Sequence, residues 1–80
     1  GRLNVTKHFG GNWADINSKL DAGTPVIVYI DRGSISHYVV LWGRSGTSYR
    51  MHDPINGPGL RFSDYYSHDA VYEYITFSPR

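Results

Sequence analysis

The 80-residue chain contains no cysteine. It therefore supplies no thiolate nucleophile, no disulfide and no cysteine-ligated zinc of its own, and it is unlike the small secreted domains that depend on disulfides. An excess of charge of one sign is also missing: eight Lys and Arg against seven Asp and Glu leave a net charge of +1. The basic residues are scattered and form no stripe, which argues against nucleic acid as a partner. No apolar run approaches the ~18 residues that a membrane span needs. Neither a repeat nor a low-complexity segment occurs, and no signal peptide is visible. Because the sequence starts at Gly1, we expect a piece of a longer protein from which targeting information has been cut away.

What remains is one domain at most, residues 1–80, complete or partial. A chain of this length buries only about 60–65% of its unfolded surface. Aromatic residues are 15% of the chain and seven of them are Tyr. Tyr offers area to a core and a hydroxyl to a groove, so the excess suits either a core or a binding face.

The most informative stretch is His37 to Asp53, HYVVLWGRSGTSYRMHD. Two arms rich in β-branched and aromatic residues flank a turn signal, Arg44-Ser45-Gly46-Thr47, which predicts a β-hairpin. If Gly43 pairs with Thr47 around a loop at 44–46, His37 falls opposite Asp53, with Cβ atoms about 4.5–5.5 Å apart. An imidazole beside a carboxylate is the arrangement that orients a catalytic histidine. A two-residue loop at Ser45-Gly46 pairs Arg44 with Thr47 instead. The two side chains then lie on opposite faces unless a bulge corrects the register. The competing reading of the pair is a structural hydrogen bond at a strand end.

Around this hairpin the pattern predicts an α+β fold. Residues 1–11 read as a loop or short edge strand, with His8 in solvent. Residues 12–22 read as a helix: Trp13, Ile16 and Leu20 share one face, Asn12 caps the start, Gly23 ends it and Pro25 bars continuation. Residues 25–31 are a continuous apolar run, as in a central strand buried on both faces, and VVLW of the hairpin reads the same way. Residues 32–36 read as a loop and residues 54–61, with Asn-Gly and Pro-Gly, as a turn-rich loop. A helical turn over 62–68 and a final strand over 71–77 follow. The expected architecture is an antiparallel meander of about four strands with one N-terminal helix packed on it.

Other chemistry is weaker. Ser34 and Ser36 are too near His37 in the chain to reach it easily as nucleophiles, and no G-x-S-x-G elbow exists. His37, His52 and Asp53, with His68 and Asp69, contain the right donors for zinc. On a strand, however, His52 points away from Asp53, and no H-x-x-x-H spacing occurs. We expect neither metal nor cofactor. Of the aromatic set, Trp13 and Trp42 are expected in the core, while Tyr38, Tyr65 and Tyr66 are the candidates for a peptide-binding groove.

From about Asp21 onward the chain resembles a known family. Gly23-x-Pro25-Val26-Ile27-Val28, then Ser36-His37-Tyr38-Val39-Val40-x-x-Gly43, then Asp53-Pro54-x-x-Gly57, Phe62-Ser63 and a closing aromatic strand are similar to the C-terminal half of papain-like cysteine peptidases, most of all to the double-glycine (bacteriocin-processing) peptidase group. The resemblance implies peptide-bond hydrolysis, with His37 as general base and Asp53 as its orienting acid. It also implies a nucleophilic Cys, and a Gln just before it, on an N-terminal half that is not in this sequence. That half was removed, or sits on another chain, or the domain is a degenerate relative that binds peptide or regulates a partner. The implied partners are a peptide or protein substrate and the Cys-bearing half. Such a lone half should expose an apolar patch and self-associate or form a swapped dimer. The resemblance further implies a bacterial protein, exported or at the cell surface; the sequence itself leaves localisation unknown.

Overall fold

The computed structural model describes residues 3–32 and 35–79. Along the chain lie β1 (Leu3–Phe9), α1 (Trp13–Asp21), β2 (Val26–Arg32), β3 (Ile35–Ser45), β4 (Ser48–Asp53), β5 (Gly57–Arg61) and β6 (Val71–Pro79), with single 3-10 turns at Phe62–Asp64 and His68–Ala70. The strands form one antiparallel sheet in the order β1-β6-β2-β3-β4-β5. The fold is thus α+β with one helix, as expected, but the sheet has six strands rather than about four. β2 to β5 are the meander; β6 crosses back to pair with β2, and β1 adds outside β6.

α1 begins and ends where local chemistry dictates. The Asn12 side chain accepts the Asp15 N–H at 3.2 Å, which satisfies one orphan donor of the first turn. At the other end the Gly23 N–H reaches the Leu20 carbonyl and the Thr24 N–H the Lys19 carbonyl, both at 3.0 Å. This paired ending needs a left-handed residue at its centre, and Gly23 has φ +82°. The helix lays Ile16 and Leu20 on the sheet. Beneath them lie Val26, Val28 and Ile30 of β2, Val39 and Leu41 of β3, Tyr49 and Met51 of β4, Val71 and Tyr74 of β6, and Phe62, all buried. Trp13 packs at the margin and donates from Nε1 to the His68 carbonyl at 3.3 Å.

Several expectations change. β2 and β3 are central in hydrogen bonding, but the helix covers only one face of them. On the other face Ile27, Tyr29 and Val40 are half-buried, and Tyr38 and Trp42 are exposed. Trp42 is therefore not a core residue. It is the extra residue of a bulge between Leu41 and Gly43, and it stacks on His52 with ring centroids 5.4 Å apart, under the Arg50 guanidinium. His8 is not solvated but half-buried on β1: it stacks on Tyr74 at 4.5 Å and places Nε2 2.9 Å from Thr76 Oγ1. Residues 1–11, expected as a loop or short edge strand, contain a full edge strand, and Gly57–Arg61, expected as loop, is the opposite edge strand. Pro58 is tolerated there because an edge strand need not donate on both sides. Of the loop expected over 32–36, Arg32 belongs to β2 and Ile35 and Ser36 to β3, while residues 33 and 34 lie outside the described residues.

Phe62 carries the packing of the segment that follows β5. It is fully buried, and its ring lies 5.7 Å from Trp13, 5.6 Å from Tyr66 and 5.6 Å from His68. Truncating such a residue costs about 3–5 kcal/mol, a large share of the roughly 4–12 kcal/mol available to a chain of this length. Phe62→Ala is expected to abolish or nearly abolish cooperative urea unfolding followed by circular dichroism, whereas the exposed neighbour change Ser63→Ala is expected to leave the midpoint almost unmoved.

Candidate active site

The hairpin places His37 and Asp53 by a route that neither simple register anticipates. Ser45 pairs with Ser48 around a two-residue turn, Gly46-Thr47, and Gly46 has φ +61°, as a turn with glycine at its first central position requires. From the turn the pairing runs Arg44↔Tyr49 and Gly43↔Arg50, then shifts at the Trp42 bulge to Leu41↔Met51 and Val40↔His52. Without that shift Asp53 would follow in line with Val40, on the face away from the helix. With it, Asp53 follows in line with Val39 and shares the buried face of His37, one diagonal step away. Diagonal Cβ neighbours lie about 7–8 Å apart on a sheet, within reach of two such side chains.

The two side chains meet. His37 Nε2 lies 2.9 Å from Asp53 Oδ1, and the residues are only 7% and 3% exposed. Asp53 also closes its own turn. Its Oδ1 accepts the Ile55 N–H at 2.8 Å and the Asn56 N–H at 3.3 Å, the bonding by which an aspartate stabilises the turn that follows it. Its Oδ2 accepts Asn56 Nδ2 at 2.9 Å and the Tyr66 hydroxyl. Asn56 Nδ2 also donates to the Tyr66 oxygen at 3.2 Å.

These donors decide the charge. Burial pushes the Asp53 carboxyl up, but the Tyr66 hydroxyl, the Ile55 N–H and the side-chain and backbone N–H groups of Asn56 outweigh it and hold the carboxyl well below the usual carboxylate range. An ionised carboxylate only accepts hydrogen bonds, so in neutral His37 the proton sits on Nε2 and the lone pair on Nδ1. Among the described residues no hydrogen bond is made to Nδ1. The arrangement can therefore take a proton at Nδ1 and stabilise the resulting cation at Nε2.

The remaining candidates fall in different places. Tyr66 joins the pair, its ring 5.9 Å from that of His37. Tyr65 is exposed beside it, 47% accessible. Tyr38 lies on the opposite face of the sheet, where its ring stands 6.2 Å from Tyr29. His52 also lies on that face and accepts the Gly59 N–H at Nδ1, so it does not join His37 and Asp53. His68 is enclosed by Trp13, Tyr49 and Phe62. Among the described residues no group of three or more His, Asp or Glu side chains is placed to hold a metal ion. Ser34 lies outside the described residues. Asn56 is the residue that sequence reasoning missed: Asn56-Gly57 was read only as a turn signal, although an Asp-Pro-x-Asn string can supply a side-chain amide back to its aspartate.

Comparison with known proteins gives one result. The family model described as Peptidase_C39 like family matches residues 2–78. No curated protein and no solved structure matches the chain.

The donors around Asp53 fix how stability depends on pH. In the unfolded chain the carboxyl titrates at about 3.9, and in the folded chain it titrates lower. The folded state thus binds fewer protons than the unfolded one as the pH drops below about 4, and the stabilisation, complete above that value, is lost as the pH falls toward the folded-state value. Asp53→Asn is expected to lose about 2–4 kcal/mol at neutral pH. Its urea midpoint should also fall less steeply than that of the wild type between about pH 5 and pH 2. Parallel curves for the two proteins would exclude this role for the Asp53 charge.

Proposed function

Since the chain belongs to the Peptidase_C39 like family, we propose that it is the histidine- and aspartate-bearing part of a papain-like cysteine peptidase domain. The observation that carries this reading is the buried His37–Asp53 contact of 2.9 Å, with Nε2 occupied by the carboxylate and Nδ1 left as a base. The nucleophile belongs to a Cys-bearing segment, because this chain contains no cysteine. In the proposed reaction His37 Nδ1 takes the thiol proton and the thiolate adds to the peptide carbonyl. The imidazolium then returns a proton to the departing amine, and water, deprotonated by the same nitrogen, releases the acyl group from sulfur. Asp53 keeps its charge throughout and stabilises the imidazolium. The substrate is a peptide or protein. Tyr65 and the ring of Tyr66 are the groove contacts we propose; Tyr38, across the sheet from His37, does not share that groove.

The absence of cysteine also favours a second reading, a degenerate domain that binds peptide or regulates a partner without cutting. Joining a Cys-bearing segment, in cis or in trans, separates the two. On the first reading hydrolysis of a peptide library appears, and His37→Ala lowers it by about 10²–10⁴-fold. On the second no hydrolysis appears, the chain alone binds peptide, and His37→Ala leaves that affinity nearly unchanged.

The proposed partner also includes a second copy of the chain. Val5, Phe9, Tyr38, Trp42 and Tyr72 are exposed on the sheet face away from α1, and apolar side chains gathered on one face are the kind of surface that associates. Sedimentation of the isolated chain is expected to depend on concentration, and monomeric behaviour up to the highest soluble concentration would exclude self-association.

A further inference from the structure

We propose that Tyr66 is a positioning residue for the His37–Asp53 pair, its hydroxyl locking the carboxylate so that Oδ1 is the oxygen presented to His37. The inference takes its catalytic meaning from the peptidase reading, but the positioning itself is a property of this chain and is tested without activity.

An aspartate side chain has a broad, roughly two-fold terminal torsion, so a single bond from His37 would leave the carboxylate free to swing. Here both oxygens are held. Oδ1 receives His37 and the N–H groups of Ile55 and Asn56, while Oδ2 receives Asn56 Nδ2 and the Tyr66 hydroxyl. The backbone and Asn56 donors come from the turn that Asp53 itself caps, so they move with it. Among the described residues, Tyr66 is the one donor besides His37 that comes from elsewhere in the chain. Its backbone N–H donates to the Phe62 carbonyl at 2.9 Å, and its ring rests 5.6 Å from that of Phe62. The fully buried Phe62 thus ties the phenol oxygen to the core and, through it, the carboxylate.

The direction of the hydroxyl is also set. Asn56 Nδ2 donates to the Tyr66 oxygen, so that oxygen acts as acceptor toward Asn56 and sends its one proton to Asp53. The hydroxyl is engaged inward, which separates it from the groove role of the ring. His37 and Tyr66 are the titratable groups hydrogen-bonded to Asp53 among the described residues.

The test is a pair of nuclear magnetic resonance readouts on the labelled chain: the carbon shift of the Asp53 carboxyl as a function of pH, and the ring nitrogen shifts of His37 on the high-pH plateau where they no longer change with pH. In the wild type the His37 proton should reside on Nε2. In Tyr66→Phe, which keeps the ring, the Asp53 midpoint should rise by about one pH unit and a share of the tautomer protonated at Nδ1 should appear. If both readouts stay at their wild-type values in a folded Tyr66→Phe, the positioning role is overturned. Should that variant not fold, Phe62→Leu decides: it loosens the ring that seats Tyr66 without removing any donor to Asp53 and is expected to shift both readouts in the same direction, and no shift overturns the proposal. In the complemented peptidase, Tyr66→Phe should lower kcat with KM unchanged; a raised KM at unchanged kcat would make the hydroxyl a substrate contact instead. A complemented protein without hydrolysis would remove the peptidase reading, while the resonance data still decide the positioning.

Discussion

A buried carboxylate stays ionised only if its surroundings replace the water it has lost. Stripping a charged group of solvent costs several kcal/mol, and Asp53, 3% exposed, recovers this through five donors: one imidazole, two backbone N–H groups, one amide and one phenol. The same charge that closes the turn after β4 also fixes the tautomer of His37 and gathers the segment from Asn56 to Tyr66 against the sheet. Removing it would loosen a turn, an imidazole and a tyrosine together. Local structure and candidate chemistry therefore share one group.

That group is aimed by an irregularity. The Gly46-Thr47 turn starts the hairpin in a register that would send Asp53 to the wrong side of the sheet, and the one-residue bulge at Trp42 sets it right. Bulges re-aim side chains near functional positions in many sheets. The displaced Trp42 does not go unused, since it packs between His52 and Arg50. Beside the turn of the hairpin Arg44 holds Asp21, at the end of α1, through two bonds of 2.9 and 2.6 Å, so the helix and the hairpin are braced at the end of the sheet remote from His37.

Much of this was legible in the sequence, and the reasons for success and failure are physical. Apolar spacing gave α1 with its cap and its glycine ending. β-branched and aromatic runs gave β2, β3, β4 and β6. The turn dipeptide and the arithmetic of pairing brought His37 and Asp53 together as a pair to watch. The edge strands were missed or left open because main-chain pairing at an edge demands little of side chains: β5 contains Gly57, Pro58 and Gly59, and its burial follows no alternation. Trp42 was misjudged because a continuous apolar run reads as a strand covered on both faces, whereas α1 covers only one face of β3. His8 was placed in water because its partners, Tyr74 and Thr76, lie more than sixty residues away, beyond any local pattern. At the site, tyrosines were weighed for their rings, and the hydroxyl of Tyr66 and the amide of Asn56 entered only through three-dimensional proximity.

The two edges of the sheet are unequal. β5 ends the sheet with a proline flanked by glycines at φ +119° and φ +71°, a backbone too irregular to template a further strand. β1 ends it with seven residues, Leu3 to Phe9, without glycine or proline, and with Lys7 as the one charge among Val5, Lys7 and Phe9 on the outward face. Proteins guard such edges with charge, proline or a bulge, and here a single lysine stands guard. The sheet is thus polarised toward growth: any added strand, from a neighbouring chain or a flexible segment, has a regular ladder to join at β1 and none at β5.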